Sequence, residues 1–127
     1  MTAAYLDTHV VVALHDGRVE KLTREAIREI ERRDLLISPM VYLELDYLQR
    51  GKKYKFTAES VYKRVSEIFD VRMCDFPFAE VAIKAVDCGW TGDPFDRIIV
   101  GHAWANGNAP LITADERIRE HYPRAIW

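Results

Sequence analysis

Four acidic residues stand where a purely structural role accounts for them poorly: Asp7, Glu44, Asp96 and Asp115. Glu44 is the most telling. On a helix over residues 39–50, its neighbours at helical spacing are Met40, Val41, Leu45 and Leu48, so a 100° step per residue sets the carboxylate inside an apolar arc. An ionised, unpaired carboxylate there costs on the order of several kcal/mol, so it must meet a cation, a base or a water-filled cleft. Asp96 repeats the pattern beside Ile99, Val100 and Ala103. In Asp93-Pro94-Phe95-Asp96-Arg97, Asp93 suits an N-cap with Pro94 at the first helical position, and Asp96 falls at the third. Arg97 is placed to pair with one of these acids. Asp7 and Asp115 each follow a short apolar run. Asp7 or Thr8 could cap the next helix, and Thr113 with Glu116 could form a capping box that leaves Asp115 free. Acids that converge without matching bases suit a hard divalent cation, which takes oxygen ligands and supports phosphodiester hydrolysis. Without metal they should repel, and at least one should hold a proton near neutral pH.

The elements that carry these acids alternate. Strands are predicted over residues 3–6, 35–37, 71–74 and 110–113, with an edge strand over 125–127. Helices are predicted over 9–15, 22–32, 39–50, from Thr57 through Val61, Val65 and Ile68, and over 77–86, 93–104 and 115–120. Asp16-Gly17, Gly51, Gly89 and Gly107 supply the stops. Alternation of this kind predicts an α/β fold with a central parallel sheet of four or five short strands, covered on both faces. Such sheets place sites at the carboxyl ends of the strands, so Asp7 and Asp115 should share one edge.

Composition bounds the rest. The 127 residues suit one domain, 1–127, with 49% hydrophobic and 30% charged residues. Cys74 and Cys88 show no zinc-like spacing and read as buried thiols. No apolar stretch is long enough to span a bilayer, and no signal peptide is readable, which predicts a cytoplasmic protein. A net charge of −2 does not advertise nucleic-acid binding, although bound metal would reverse the local field at a carboxylate cluster. The densest basic run, Arg50-Gly51-Lys52-Lys53-Tyr54-Lys55, offers Lys52, Lys53 and Lys55 to phosphates and Tyr54 to a base, or forms a solvated loop.

Tyr5-Leu6-Asp7-Thr8-His9, the helical Glu44, Asp93-Pro94-Phe95-Asp96-Arg97-Ile98-Ile99 and Leu111-Ile112-Thr113-Ala114-Asp115-Glu116 together resemble the motif series of PIN-domain nucleases. More narrowly, they resemble VapC-type toxins of toxin–antitoxin pairs. The resemblance runs from Tyr5 to about Tyr122. It implies a parallel α/β/α sandwich and endoribonuclease activity dependent on Mg²⁺ or Mn²⁺, with tRNA, rRNA or mRNA as substrate. It implies that Asp7, Glu44, Asp96 and Asp115 form the catalytic and metal-binding set. Asp7, Asp96 and Asp115 would hold one or two ions, and Glu44 would orient water. Thr8, Asp93, Arg97 and Thr113 would support them. It further implies a VapB-type antitoxin partner and a homodimer, for which Tyr42, Leu43 and Tyr47 offer apolar surface off the Glu44 face. His9 stands where many members carry serine or asparagine, and a general-base or packing role is open to it.

Rival readings fare less well. A dehalogenase-like phosphotransferase needs an acid at position 9, and a receiver needs a lysine after the late strand. No Gly-rich turn follows the first strand to bind a dinucleotide. A non-catalytic PIN-like partner-binding module is the remaining alternative.

Overall fold

The computed structural model describes residues 3–127. Met1 and Thr2, part of the segment read for a signal peptide, lie outside them. Ala4–Leu6 (β1) is fully buried, which is why it is apolar at every position rather than alternating. It pairs in parallel with Leu35–Ile37 (β2) on one side and Leu111–Ile112 (β4) on the other. Arg72–Met73 (β3) and Ala125–Ile126 (β5) complete an all-parallel sheet in the order β3-β2-β1-β4-β5. Among the described residues, seven α-helices surround the sheet to make an α/β/α sandwich. They are Thr8–Asp16 (α1), Arg24–Arg32 (α2), Pro39–Arg50 (α3), Ala58–Phe69 (α4), Phe78–Val86 (α5), Pro94–Ala105 (α6) and Glu116–His121 (α7). The order reverses direction between β1 and β4, which is the switch point where such sheets build sites.

Local chemistry sets the helix ends. Ser38 caps α3 ahead of Pro39, Asp93 caps α6 ahead of Pro94, and Thr57 caps α4. Gly17, at φ 70°, ends α1 in the left-handed region where glycine is free of the Cβ penalty. Leu22 is buried but lies before the helix it was expected to open. A 3-10 turn at Val19–Lys21 precedes it, and Thr23 caps α2 instead. Ile68 is 56% exposed, contrary to expectation. The buried stripe of α4 runs through Ala58, Val61, Val65 and half-buried Phe69, leaving Ile68 at its border.

The layers are locked by close contacts. At Gly101 on α6, an added Cβ would lie 2.9 Å from the Val81 carbonyl oxygen, so α5 and α6 meet almost backbone to backbone. Cys74 and Cys88 are free and buried, as expected, and the Tyr5 hydroxyl lies 2.8 Å from Cys74 Sγ.

Candidate active site

Parallel pairing of Leu6 with Ile112 brings the ends of β1 and β4 level, so Asp7 and Thr113 emerge side by side. The Thr113 hydroxyl donates to Asp7 Oδ2 at 2.6 Å, and the Thr8 amide donates to Oδ1 at 2.8 Å. Asp7 is therefore both the cap of α1 and, at 4% exposure, a carboxylate fixed through both oxygens. Thr113 Oγ1 in turn accepts from the Asp115 amide at 3.0 Å. The expected capping box does not form. Asp115 is itself the cap of α7, accepting from the Ile118 amide at 2.9 Å, because the Thr113 side chain is turned inward to Asp7.

Glu44 projects from the second turn of α3, and its Oε1 accepts a short hydrogen bond from the Thr8 hydroxyl. Asp96 projects from the first turn of α6, behind Asp93, whose Oδ1 accepts from the Phe95 and Asp96 amides at 2.8 and 3.4 Å. Ser38, at the start of α3, holds His102 Nδ1 of α6 at 2.9 Å, which ties together the two helices that carry these acids. Burial holds the His102 pKa below the ordinary histidine value, so this clamp is uncharged.

Asp7, Glu44, Asp93, Asp96 and Asp115 line one cleft of about 380 Å³ with Thr8, His9 and Lys53. Among the described residues, none of the five acids forms an ion pair with lysine or arginine. Burial pushes Asp96 up to about 7, with Asp93, Asp7, Asp115 and Glu44 adding repulsion. Burial also raises Glu44, with the Thr8 hydrogen bond opposing and Asp7 and Asp93 adding to it. At about 7, Asp96 shares its proton with solvent near neutrality when no metal is bound. Among the described residues, no three of these side chains enclose an ion-sized space by themselves. The acids line the walls of the cleft, and their oxygen chemistry and missing countercharge suit a hard divalent cation with its own waters.

Arg97 does not pair with these acids as expected. It reaches the C-terminus of α5, where Nε and Nη2 donate to the Ala85 and Val86 carbonyls at 3.2 and 3.1 Å. The Ala85 carbonyl also accepts from the Cys88 amide at 3.0 Å, and the guanidinium adds a cation to the negative end of α5. His9 Nε2 accepts from the Ala114 amide at 2.8 Å, which puts the ring proton on Nδ1, 3.7 Å from Asp7 Oδ2. Its ring meets Trp127 edge to face. Lys53 and Tyr54 reach the lip of the cleft, while Lys52 and Lys55 lie in a larger neighbouring groove. Ser38 and His102 were not singled out from the sequence, since nothing in their spacing signals a clamp.

The PIN domain model matches residues 4–122. The chain belongs to the PIN domain family. No curated protein sequence matches it. Among solved structures, this PIN domain is similar to a chain of the VapBC2 complex of Rickettsia felis bound to a promoter DNA fragment (TM-score 0.64, 21% identity, 98% of this chain and 96% of that chain). It is also similar to a chain of a toxin–antitoxin complex from Klebsiella pneumoniae (0.66, 19%, 98% and 96%). A third likeness is to DNA-bound VapBC from Salmonella typhimurium (0.58, 24%, 98% and 96%). At these identities the likeness is one of fold. Among the described residues, no helix is long and apolar enough to cross a membrane.

Proposed function

We propose that residues 1–127 form one PIN-like domain that hydrolyses RNA phosphodiester bonds, with Mg²⁺ or Mn²⁺ bound among Asp7, Glu44, Asp96 and Asp115. The observation that carries the reading is the convergence of Asp7, Glu44, Asp93, Asp96 and Asp115 on one cleft without lysine or arginine ion pairs among the described residues, where burial and the other acids push Asp96 up to about 7. A divalent ion there supplies Lewis acidity, which activates water and offsets charge on the leaving oxygen. Thr8 and Thr113 hold Asp7 in a single orientation, so its carboxylate needs no reorganisation when it becomes a ligand. Asp115 spends Oδ1 on capping α7 and offers Oδ2 to the cleft. Glu44, steered by the Thr8 hydroxyl, offers its second oxygen to orient a water. A cation held by Asp96 would favour its ionised form.

The toxin reading extends this. The similar structures are described as VapBC or toxin–antitoxin complexes, which supports a VapB-type antitoxin partner for this chain and a cytoplasmic setting. A homodimer is supported by Leu43 and Tyr47, exposed on α3 at 56% and 63%, with Tyr47 against Phe95 at 5.4 Å. Tyr42 is not part of that surface, because it packs edge to face on Tyr62 of α4.

The test is cleavage of 5′-labelled tRNA, rRNA and mRNA fragments by the purified chain, with Mg²⁺ or Mn²⁺ and with EDTA. Metal-dependent cuts leaving 5′-phosphate ends are expected, and Asp7→Ala should abolish them while the fold persists. A folded Asp96→Ala variant with full activity would refute the site. No cleavage of any RNA would leave the partner-binding module as the better reading.

A further inference from the structure

Without bound metal, the acid cleft is ill suited to hold a polyanion. Five carboxylates line it, with Lys53 at its lip. Affinity for a phosphodiester chain has to come from surface beside it. An open groove of about 960 Å³ adjoins the cleft through Lys53 and Tyr54. It gathers Arg18 from the turn after α1, Lys52, Lys53 and Lys55 from the α3–α4 connection, and Arg64 from α4. Among the described residues, none of these five is engaged in an ion pair. The opposing acid, Asp16, is occupied: its Oδ1 lies 2.8 Å from His15 Nδ1 and accepts from the Tyr54 hydroxyl at 2.7 Å. Asp16 also lines the groove and its charge bears on Arg18, yet five cations against one acid leave a local excess of positive charge in a chain of net charge −2.

The groove also has fixed ring surfaces. Tyr54 is pinned by its hydroxyl and stands 5.7 Å from Phe56, with the rings at 65°. Lys55 Nζ lies 5.1 Å over the Phe56 ring. Lys52 holds φ at 58°, a left-handed conformation that a side chain adopts at a cost. A glycine would sit there more easily, so the turn places this cation at a cost in stability. Cations interleaved with rigid aromatic rings are the means by which proteins hold single strands, since unpaired bases stack and a duplex hides them.

The geometry points to this groove as a binding track for single-stranded RNA. Arg18, Lys52, Lys55 and Arg64 hold phosphates, Tyr54 backed by Phe56 offers stacking surface, and Lys53 hands the strand to the acid cleft. The proposal rests on the nuclease reading for what the strand meets next, but not for the binding itself.

Fluorescence anisotropy in EDTA tests it apart from cleavage, using a labelled mixed-sequence RNA of about 12 nucleotides. The wild-type chain should bind the single strand more tightly than its duplex, and more tightly than a polyglutamate peptide of matched charge. The double variant Arg18→Gln/Arg64→Gln should bind several-fold more weakly, and its log–log salt slope should fall by about 1.4, from roughly 0.7 per phosphate contact on a single strand. Arg72→Gln/Lys84→Gln, with the same net charge but outside the groove, should leave the slope unchanged. An unchanged slope in the first variant, equal loss in the second, or equal affinity for duplex or polyglutamate would overturn the proposal. Metal-dependent cleavage without groove-dependent binding would sink the track alone. Groove-dependent binding without cleavage would sink the nuclease reading alone.

Discussion

Replacing Asp96 with asparagine should make the metal-free protein more stable, and by an amount that depends on pH. The Asp96 carboxyl is raised from 3.8 to about 7 by burial and by its four acidic neighbours. In the unfolded chain it titrates near the ordinary value of ~3.9. Between those limits the folded state binds the extra proton, so its contribution is present at low pH and lost as pH rises through the folded value. From pH 5 to pH 8 the loss spans two pH units below the folded pKa at ~1.36 kcal/mol each, or about 2.7 kcal/mol. Partial solvent access screens this to about 1–2.5 kcal/mol. The asparagine side chain does not titrate, and Glu44 loses the repulsion of Asp96 in the variant, a change of the same sign. Thermal unfolding in EDTA should therefore show the variant's advantage growing from pH 5 to pH 8 by roughly 4–10 °C, at about 4 °C per kcal/mol for a chain of this length. Saturating Mn²⁺ should reverse the order at pH 8 by stabilising the wild type alone. A gap that stays constant with pH would refute the claim that this carboxyl is held under electrostatic strain.

Three further substitutions probe the framework. Thr113→Val removes the donor to Asp7 and the acceptor for the Asp115 amide, so denaturant unfolding should lose about 1–3 kcal/mol and RNA cleavage should fall with it. Gly101→Ala drives a methyl against the Val81 carbonyl at 2.9 Å and should cost about 1–3 kcal/mol, visible as a lower melting temperature. Lys52→Gly relieves a left-handed backbone at φ 58° and should raise stability by up to ~1 kcal/mol while weakening RNA binding in EDTA.

Residues that violate a local rule were the legible ones. Glu44 and Asp96 each interrupt an apolar helix face, and both line the acid cleft. Asp93 followed by Pro94 announced a helix start, and it caps α6 as expected. Asp7 was ambiguous because it does two things, capping α1 and facing the cleft. Where tertiary contacts compete with local ones, local pattern misled. Thr113 could have capped α7, but Asp7 claims its hydroxyl across the sheet, and Asp115 takes over the cap. Arg97 lay beside two acids in sequence, yet the carbonyls at the C-terminus of α5 hold it. The basic groove was only half visible. Its lysines form one run, whereas Arg18 and Arg64 come from elements that only the fold brings together. The central strands β1, β2 and β4 were found because the buried middle of a parallel sheet is apolar throughout, even though so short a run carries no periodicity.

The most direct test of the account is a calorimetric titration of the metal-free chain with Mn²⁺ near pH 6.5, repeated in buffers of different ionisation enthalpy. Saturable binding below millimolar concentration is predicted, with release of a substantial fraction of a proton as Asp96 ionises, and with loss of the binding in Asp7→Asn and Asp96→Asn. Absence of binding at millimolar Mn²⁺, or binding that survives both substitutions, would contradict a metal centre built from these acids.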